Sequence, residues 1–155
     1  MGNEDGMIRL AGADMPIDIF YQPNELEVSD FEEVWERSTS SDRGLRLIGK
    51  IDLLVTEQLT GWPTDITDIK FLDDRIEEEY RARLKDCSET EAREMFERFA
   101  TPEIAAYAIR ESRNDKVKQV AWQLLEELRA EGNPFAEELS RELKSQSHGL
   151  DLGRQ

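Results

Sequence analysis

Apolar residues recur at helical spacing through most of the chain, whereas parts of the first twenty-one residues alternate as strands do. Met7–Leu10 and Ile17–Tyr21 both alternate in part, and the turn-like stretch 11–16 separates them. This pattern predicts a small N-terminal β-hairpin over about residues 7–21. A two-stranded hairpin is marginal on its own, so its apolar face has to pack against a later part of the chain.

Helical signals dominate from residue 29 to residue 145. Ser29 with Glu32, and Ser88 with Glu91, predict helix starts, because each serine can accept a hydrogen bond from the amide three residues later. Three more starts are predicted at Thr101-Pro102, at Asn114 or Asp115, and at Asn133-Pro134. Trp35 lies beside the inward positions of the first helix. Apolar residues three and four positions apart indicate the successive helices: Phe31, Val34 and Trp35; Leu47, Ile48, Ile51, Leu54, Val55 and Leu59; Ile69, Leu72, Ile76, Tyr80 and Leu84; Ala92, Met95, Phe96 and Phe99; Ile104, Ala105, Ala108 and Ile109; Val117, Val120, Ala121, Leu124 and Leu128; Phe135, Leu139 and Leu143.

These elements predict a mainly α fold, a helical bundle with a small N-terminal β-hairpin. Residues 1–145 are expected to form a single mostly helical domain, in which residues 88–145 can be a helical subdomain. The polar stretch Ser38–Gly44 is predicted to be a loop, so strands are expected only at 7–10 and 17–21. Residues 146–155 are polar and contain glycine, which predicts a disordered tail.

The charge of the chain is strongly negative and unevenly distributed. Its 35 acidic and 20 basic residues leave a net charge of −15. Residues 1–63 carry −8, residues 64–100 carry −5 and residues 101–155 carry −2. Such a charge favours solubility and repels nucleic acid and anionic membranes. We therefore expect neither direct nucleic-acid binding nor membrane binding.

The cellular compartment of the protein is predicted from two further features of the sequence. The N-terminus lacks a basic region followed by an apolar stretch, so no signal peptide is expected, and no apolar run is long enough to span a membrane. Cys87 is the single cysteine, which rules out a disulfide within the chain and favours a reducing compartment. A cytoplasmic location is therefore predicted.

Residues that could carry catalysis are few. His148, the single histidine, falls in the predicted tail, and Cys87 has no histidine near it in sequence to activate it. Cys87 is therefore predicted to be a small buried or semi-buried residue. No catalytic residue, no cofactor and no metal site is predicted, and an enzyme is the least favoured class.

An acidic cluster is the one candidate for divalent cations. It shares a predicted helix with Ile69 and Leu72, which face inward, so its carboxylates are expected to form a solvated helix face rather than a magnesium or calcium site. The cluster comprises Asp65, Asp68, Asp73, Asp74 and Glu77.

Three tryptophans are the candidates for binding a partner. Trp35, Trp62 and Trp122 are large residues that serve as core anchors or as interface hot spots. A position in the core is the default for each. Trp122 lies beside the inward stripe of its helix rather than on it, so it is the one predicted to face a partner.

Two short motifs resemble landmarks of the tail assembly chaperones of tailed phages. The run Ile17-Asp18-Ile19-Phe20-Tyr21-Gln22-Pro23-Asn24-Glu25-Leu26 is similar to their strand, Tyr-x-Pro and Leu opening. Leu53-Leu54-Val55-Thr56-Glu57-Gln58-Leu59-Thr60-Gly61-Trp62 is similar to their apolar helix ending in a Trp-Asp-type motif. Pro63 stands where that motif has aspartate, and Asp65 comes soon after. The resemblance covers about residues 17–62.

The resemblance implies chaperoning in the host-cell cytoplasm. Proteins of that family bind the long, apolar, helical tape measure protein and keep it soluble until the tail tube assembles. The expected partner of this chain is accordingly a helical segment of another protein. Two other interpretations stay open: an acidic inhibitor or nucleic-acid mimic that fills a basic groove on a DNA- or RNA-binding enzyme, and an antitoxin or immunity-type protein.

The acidic cluster generates a direct prediction about metals. Adding millimolar magnesium or calcium should leave the melting temperature unchanged, because only a cation that binds the native state specifically raises it by mass action. Thermal denaturation with and without the cations measures this. A saturable increase that disappears in Asp73→Asn would establish a metal site instead.

Overall fold

A computed structural model describes the backbone of residues 7–10, 17–20, 30–58 and 65–151, and the side chains of residues 30–58 and 66–146. Helices account for most of these residues, which confirms the predicted mainly α fold with a small N-terminal hairpin. The elements are β1 Met7–Leu10, β2 Ile17–Phe20, α1 Phe31–Arg37, β3 Thr39–Ser40, β4 Arg46–Leu47, α2 Lys50–Gln58, α3 Asp65–Leu84, α4 Glu89–Arg98, α5 Pro102–Glu111, α6 Asp115–Ala130 and α7 Pro134–Asp151.

The chain divides into two compact units, Met1–Asp73 and Asp74–Gln155. The boundary falls within α3, so the first turns of that helix belong to the first unit and the remainder to the second. The sequence places a subdomain start near residue 88, fourteen residues further along.

The N-terminal hairpin has the predicted strands. β1 and β2 pair antiparallel, with Met7 opposite Phe20 and Leu10 opposite Ile17. Tyr21 lies outside the described residues, and so does Ser29 of the first predicted capping box. Helix α1 begins at Phe31.

A second hairpin, with two residues in each strand, lies between residues 38 and 50. It corrects the loop and the helix start that the sequence predicts there. β3 pairs antiparallel with β4, so Thr39 lies opposite Leu47, where the sequence predicts a loop followed by a helix that already includes Leu47 and Ile48. Gly44 makes the turn possible because its φ of +75° is in the left-handed region that favours glycine. Helix α2 therefore begins only at Lys50.

A bidentate ion pair joins α1 to α2. The Arg37 guanidinium donates from Nη2 to Oδ1 of Asp52 (2.7 Å) and from Nε to Oδ2 (3.2 Å), and the Asp52 side chain is buried. These hydrogen bonds raise the pKa of Arg37. A Cβ at Gly49 would lie 2.9 Å from Oδ2 of Asp52, so glycine leaves the room in which this carboxylate sits.

The core of the second unit lies where α5, α6 and α7 meet. Helix α5 contributes Ala105 and Ala106, whose small side chains permit close helix packing. Leu125 of α6 and Ala136 and Leu143 of α7 complete the buried cluster. Tyr80 of α3 is also buried, and its ring meets Phe99 edge to face, with the centroids 5.9 Å apart.

The predicted helix starts in this unit are confirmed. Ser88 and Glu91 form both hydrogen bonds of a capping box. Thr101 accepts from the amide of Ile104, Asn114 accepts from that of Lys116, and Asn133 accepts from those of Phe135 and Ala136. Local polar signals therefore determine where these helices begin.

Helix α7 continues past the predicted start of the tail. Its backbone is helical to Asp151, whereas the sequence predicts disorder from residue 146. Once a helix is nucleated, each further residue adds a hydrogen bond at little cost unless proline intervenes, and no proline comes after Pro134. Gln146 also donates to Oε1 of Glu142 at 2.9 Å, one turn before it.

Glu126 fastens α6 to α7. Its Oε1 accepts from the buried Ser140 hydroxyl (2.8 Å) and from Lys144 Nζ (3.0 Å), and Oε2 lies 2.6 Å from Arg129. The hydrogen bonds from Lys144 and Ser140 lower the pKa of Glu126. A carboxylate with a lowered pKa stabilises the fold above its unfolded-state pKa and loses that contribution as the pH falls through the lower, folded-state value.

Glu126→Gln should therefore reduce the free energy of unfolding by about 1 kcal/mol at pH 7, which is less than the ~1.5–3 kcal/mol of a buried hydrogen bond to a charged group because solvent screens this 35% exposed carboxylate. The difference from the native protein should shrink below the usual carboxyl pKa of 4.5. Urea denaturation at pH 7 and pH 3 measures both effects. Glu127→Gln, on the neighbouring exposed residue of α6, is the matched control, and equal losses in the two variants would contradict the role of Glu126.

Candidate partner-binding surfaces

The three tryptophans occupy different environments. Trp35 is 57% exposed on α1. Trp122 is half-buried and packs against the cluster formed by α5, α6 and α7. Trp62 lies outside the described residues, so its role stays a prediction. Of the two that the structure places, Trp35 is the more exposed, whereas the sequence favours Trp122 as the residue that faces a partner.

Arg46 positions the Trp35 side chain. Its guanidinium carbon lies 4.6 Å from the centre of the indole ring, which is a cation–π contact. Nη1 of Arg46 also donates to the carbonyl of Trp35 (3.3 Å) and to the hydroxyl of Ser38 (3.0 Å) at the end of α1. The second hairpin thus fixes one face of the ring, and more than half of the side chain remains exposed.

Exposed apolar side chains are concentrated in the first unit. Eight large apolar residues among the described side chains are exposed by 41% to 69%. Seven belong to the first unit, although it supplies the smaller share of the described side chains. They are Phe31, Trp35, Leu45, Leu47, Val55, Ile66 and Phe71, and the eighth is Phe135 in the second unit.

Buried apolar side chains show the opposite distribution. Of the 19 that form the described core, only Leu54 and Leu72 precede residue 74, and 17 lie between Ile76 and Leu143. The second unit therefore covers its own apolar faces. In its described part, the first unit leaves apolar surface in contact with water.

Sequence reasoning missed most of these exposed residues. Phe71 could have been found, because it lies on the opposite side of α3 from the predicted stripe of Ile69, Leu72 and Ile76. The helical spacing assigns Leu47 and Val55 to an inward face. Their exposure results from the late start of α2 and from tertiary packing, neither of which has a local signal.

A small recess between α4 and α6 is a second candidate surface. It encloses about 220 Å³, below the usual 300–1,000 Å³ of small-molecule sites. Phe96, Val120 and Leu124 supply its apolar lining, and Arg93, Glu97, Gln123 and Glu127 supply polar atoms. The volume fits one large side chain of a partner rather than a cofactor.

The titratable residues singled out in the sequence do not assemble into a site in the described part of the chain. Cys87 is buried, as predicted, and burial raises the pKa of its thiol, which keeps it protonated at neutral pH. His148 lies on α7 beyond the described side chains. Among the described residues, no group of three or more histidines, cysteines or carboxylates is arranged to hold a metal ion.

Comparisons with known proteins give no match: no family model matches the chain, and neither a curated protein nor a solved structure is significantly similar to it. Among the described residues, no helix combines the length and apolar character required to cross a membrane.

The two placed tryptophans should differ in their effect on stability. Trp122→Ala removes a side chain packed on the core, so the free energy of unfolding should fall by about 2 kcal/mol, less than for a fully buried tryptophan. Trp35→Ala should cost about 1 kcal/mol or less, because it mainly removes the cation–π contact of an exposed ring. Urea denaturation followed by circular dichroism compares them. A loss at Trp35 that exceeds the loss at Trp122 would contradict these placements.

Proposed function

We propose that this protein acts without catalysis, by binding an apolar helical segment of another protein and keeping that segment soluble. One observation carries the proposal: among the side chains that the structure describes, seven of the eight strongly exposed large apolar residues lie in the first unit, together with only two of the 19 buried ones. Several large apolar side chains left in water within one part of a chain are candidates for contact with a partner.

The energetics favour association through these side chains. Each square ångström of apolar surface removed from water contributes about 25 cal/mol, and an amphipathic helix is the usual partner of an apolar surface built from helices. The charge of −15 keeps the unbound chain dispersed. Exposed apolar residues and high charge in one molecule are what a carrier of an insoluble partner requires.

The resemblance to tail assembly chaperones makes the proposal specific. It covers about residues 17–62, which include five of the seven exposed residues of the first unit, from Phe31 to Val55. Under this proposal the partner is a tape measure protein, and the chain works in the cytoplasm of the host cell. Ile17–Phe20 is a strand and residues 53–58 are helical, as in the two landmarks of the resemblance.

An acidic nucleic-acid mimic is less well supported. A mimic needs unpaired carboxylates along its surface, but several partly or fully exposed carboxylates here are paired with a base one turn away on the same helix. Such pairs join Glu77 with Arg81, Glu89 with Arg93 and Glu137 with Arg141. Their charges are neutralised locally, which reduces the field that a basic groove would recognise.

Titration calorimetry with a synthetic helical peptide tests the proposal. The peptide should carry one leucine face and glutamine elsewhere, so that it has no net charge. We expect binding with a negative heat-capacity change, because apolar surface is buried. Affinity should change by less than about threefold between 0.05 and 0.5 M salt, although the Debye length falls from ~14 to ~4 Å.

An unrelated polar helical peptide without the leucine face is the control and should not bind. Failure of the leucine-faced peptide to bind would contradict the proposal. Tight binding of a basic peptide that is lost at 0.5 M salt, with little heat-capacity change, would favour the acidic mimic.

A further inference from the structure

We propose that the exposed face of α1 docks a basic amphipathic helix, with its apolar residues on Phe31 and Trp35 and its lysines or arginines against Glu32 and Glu36. This inference rests on the proposed function and adds the location of the surface and the charge of the partner. The inference is based on four residues of α1, and the structure describes the side chains of all four.

Helical geometry arranges these four residues as two adjacent strips. At about 100° per residue, Phe31 and Trp35 lie within about 40° of each other, and Glu32 and Glu36 come next around the helix. Val34, on the other side of the aromatic strip, is half-buried. The aromatic strip therefore lies between the side of α1 that packs inward and an acidic edge.

The aromatic strip is accessible. Phe31 is 41% exposed and Trp35 is 57% exposed, even with Arg46 against the indole ring. No residue of α1 is buried, so both aromatic side chains leave apolar surface in contact with water. A partner that covered both rings would remove that surface from water.

The acidic edge is not neutralised within the described part of the chain. Glu33 pairs with Arg37 at 3.1 Å, and Arg37 in turn holds Asp52. Glu32 and Glu36 are exposed and have no ion-pair partner among the described residues. They stand four positions apart, where like charges on a helix repel each other.

Charge complementarity therefore selects the occupant. A basic residue placed between Glu32 and Glu36 would relieve their repulsion and pair with both. A neutral or acidic helix could cover the rings but would leave or increase that repulsion. Arg37 and Arg46 also lie at the C-terminal end of α1, close to Glu36 and Trp35, so the positions that the partner's basic residues can take along its own helix are constrained.

Calorimetry with three peptides tests this inference on the full chain. The peptides share one leucine face and carry lysine, glutamine or glutamate at the flanking positions. We expect the lysine peptide to bind about fivefold tighter than the glutamine peptide at low salt, from two exposed ion pairs, and the glutamate peptide to bind more weakly than both. Glu32→Gln with Glu36→Gln should abolish this ranking, and Trp35→Ala should weaken all three peptides.

Glu127→Gln with Glu131→Gln is the matched control, because it removes two exposed acids four positions apart, at the end of α6 beside the recess between α4 and α6. This double variant should leave the order of affinities for the three peptides unchanged. Circular dichroism and urea denaturation verify that each variant is folded.

Equal affinity for the lysine and glutamine peptides would overturn the inference and leave the proposed function standing. Loss of the ranking in the α6 variant rather than the α1 variant would overturn it as well. Failure of all three peptides to bind would reject the proposed function together with the inference.

Discussion

The close packing of α5 against α6 and α7 is the interaction on which the second unit depends. Ala105 and Ala106 let α5 approach its neighbours closely, and Leu125 fills the space between them. Removing volume from such a site costs both burial and a cavity, so the cluster is a strong constraint on the three helices. Glu126 reinforces it, since its carboxylate accepts from two side chains of α7.

The connections between helices strengthen the same unit. The amide of Arg113 donates to the carbonyl of Lys85 at 2.9 Å, and Asn114 donates to the carbonyl of Cys87 at 3.2 Å. These hydrogen bonds connect the turn after α5 to the turn after α3. Asn114 and Cys87 are 27 residues apart in the sequence. The unit is thereby held at its connections as well as in its core.

Most of the described buried apolar residues belong to the second unit, so the described part of the first unit has few buried apolar contacts. In the described part of the first unit, the pair between Arg37 and Asp52 joins two helices at a place where an apolar contact would be usual. A partly buried ion pair specifies geometry but contributes little net stability. Apolar residues of this unit are left exposed, and under the proposed function that surface is completed by a partner.

Local chemistry explains what could be predicted from the sequence. Ser88, Thr101, Asn114 and Asn133 specify helix starts through hydrogen bonds to amides two or three residues away, so their positions can be read from short sequence patterns. The stripe on α3 from Leu72 to Leu84 is likewise predicted by spacing alone. Both depend on residues that are near one another in the chain.

Where the prediction was wrong, distant or competing interactions decided the outcome. Leu47 fits a helical stripe, but pairing with Thr39 across the turn at Gly44 takes it into a strand. The local pattern places Trp122 beside the stripe of its helix, but the packing of α5 and α7 leaves it half-buried, whereas Trp35 is exposed.

Hydrogen exchange on the full chain, with and without the uncharged leucine-faced peptide, tests most directly whether the first unit is the binding surface. Bound peptide should slow the exchange of amides in α1 and α2, because covering the apolar side chains suppresses local opening there. Amides of α5 and α6 should exchange at the same rate in both samples. Slower exchange confined to α4 and α6, or no change in residues 31–58, would contradict the claim.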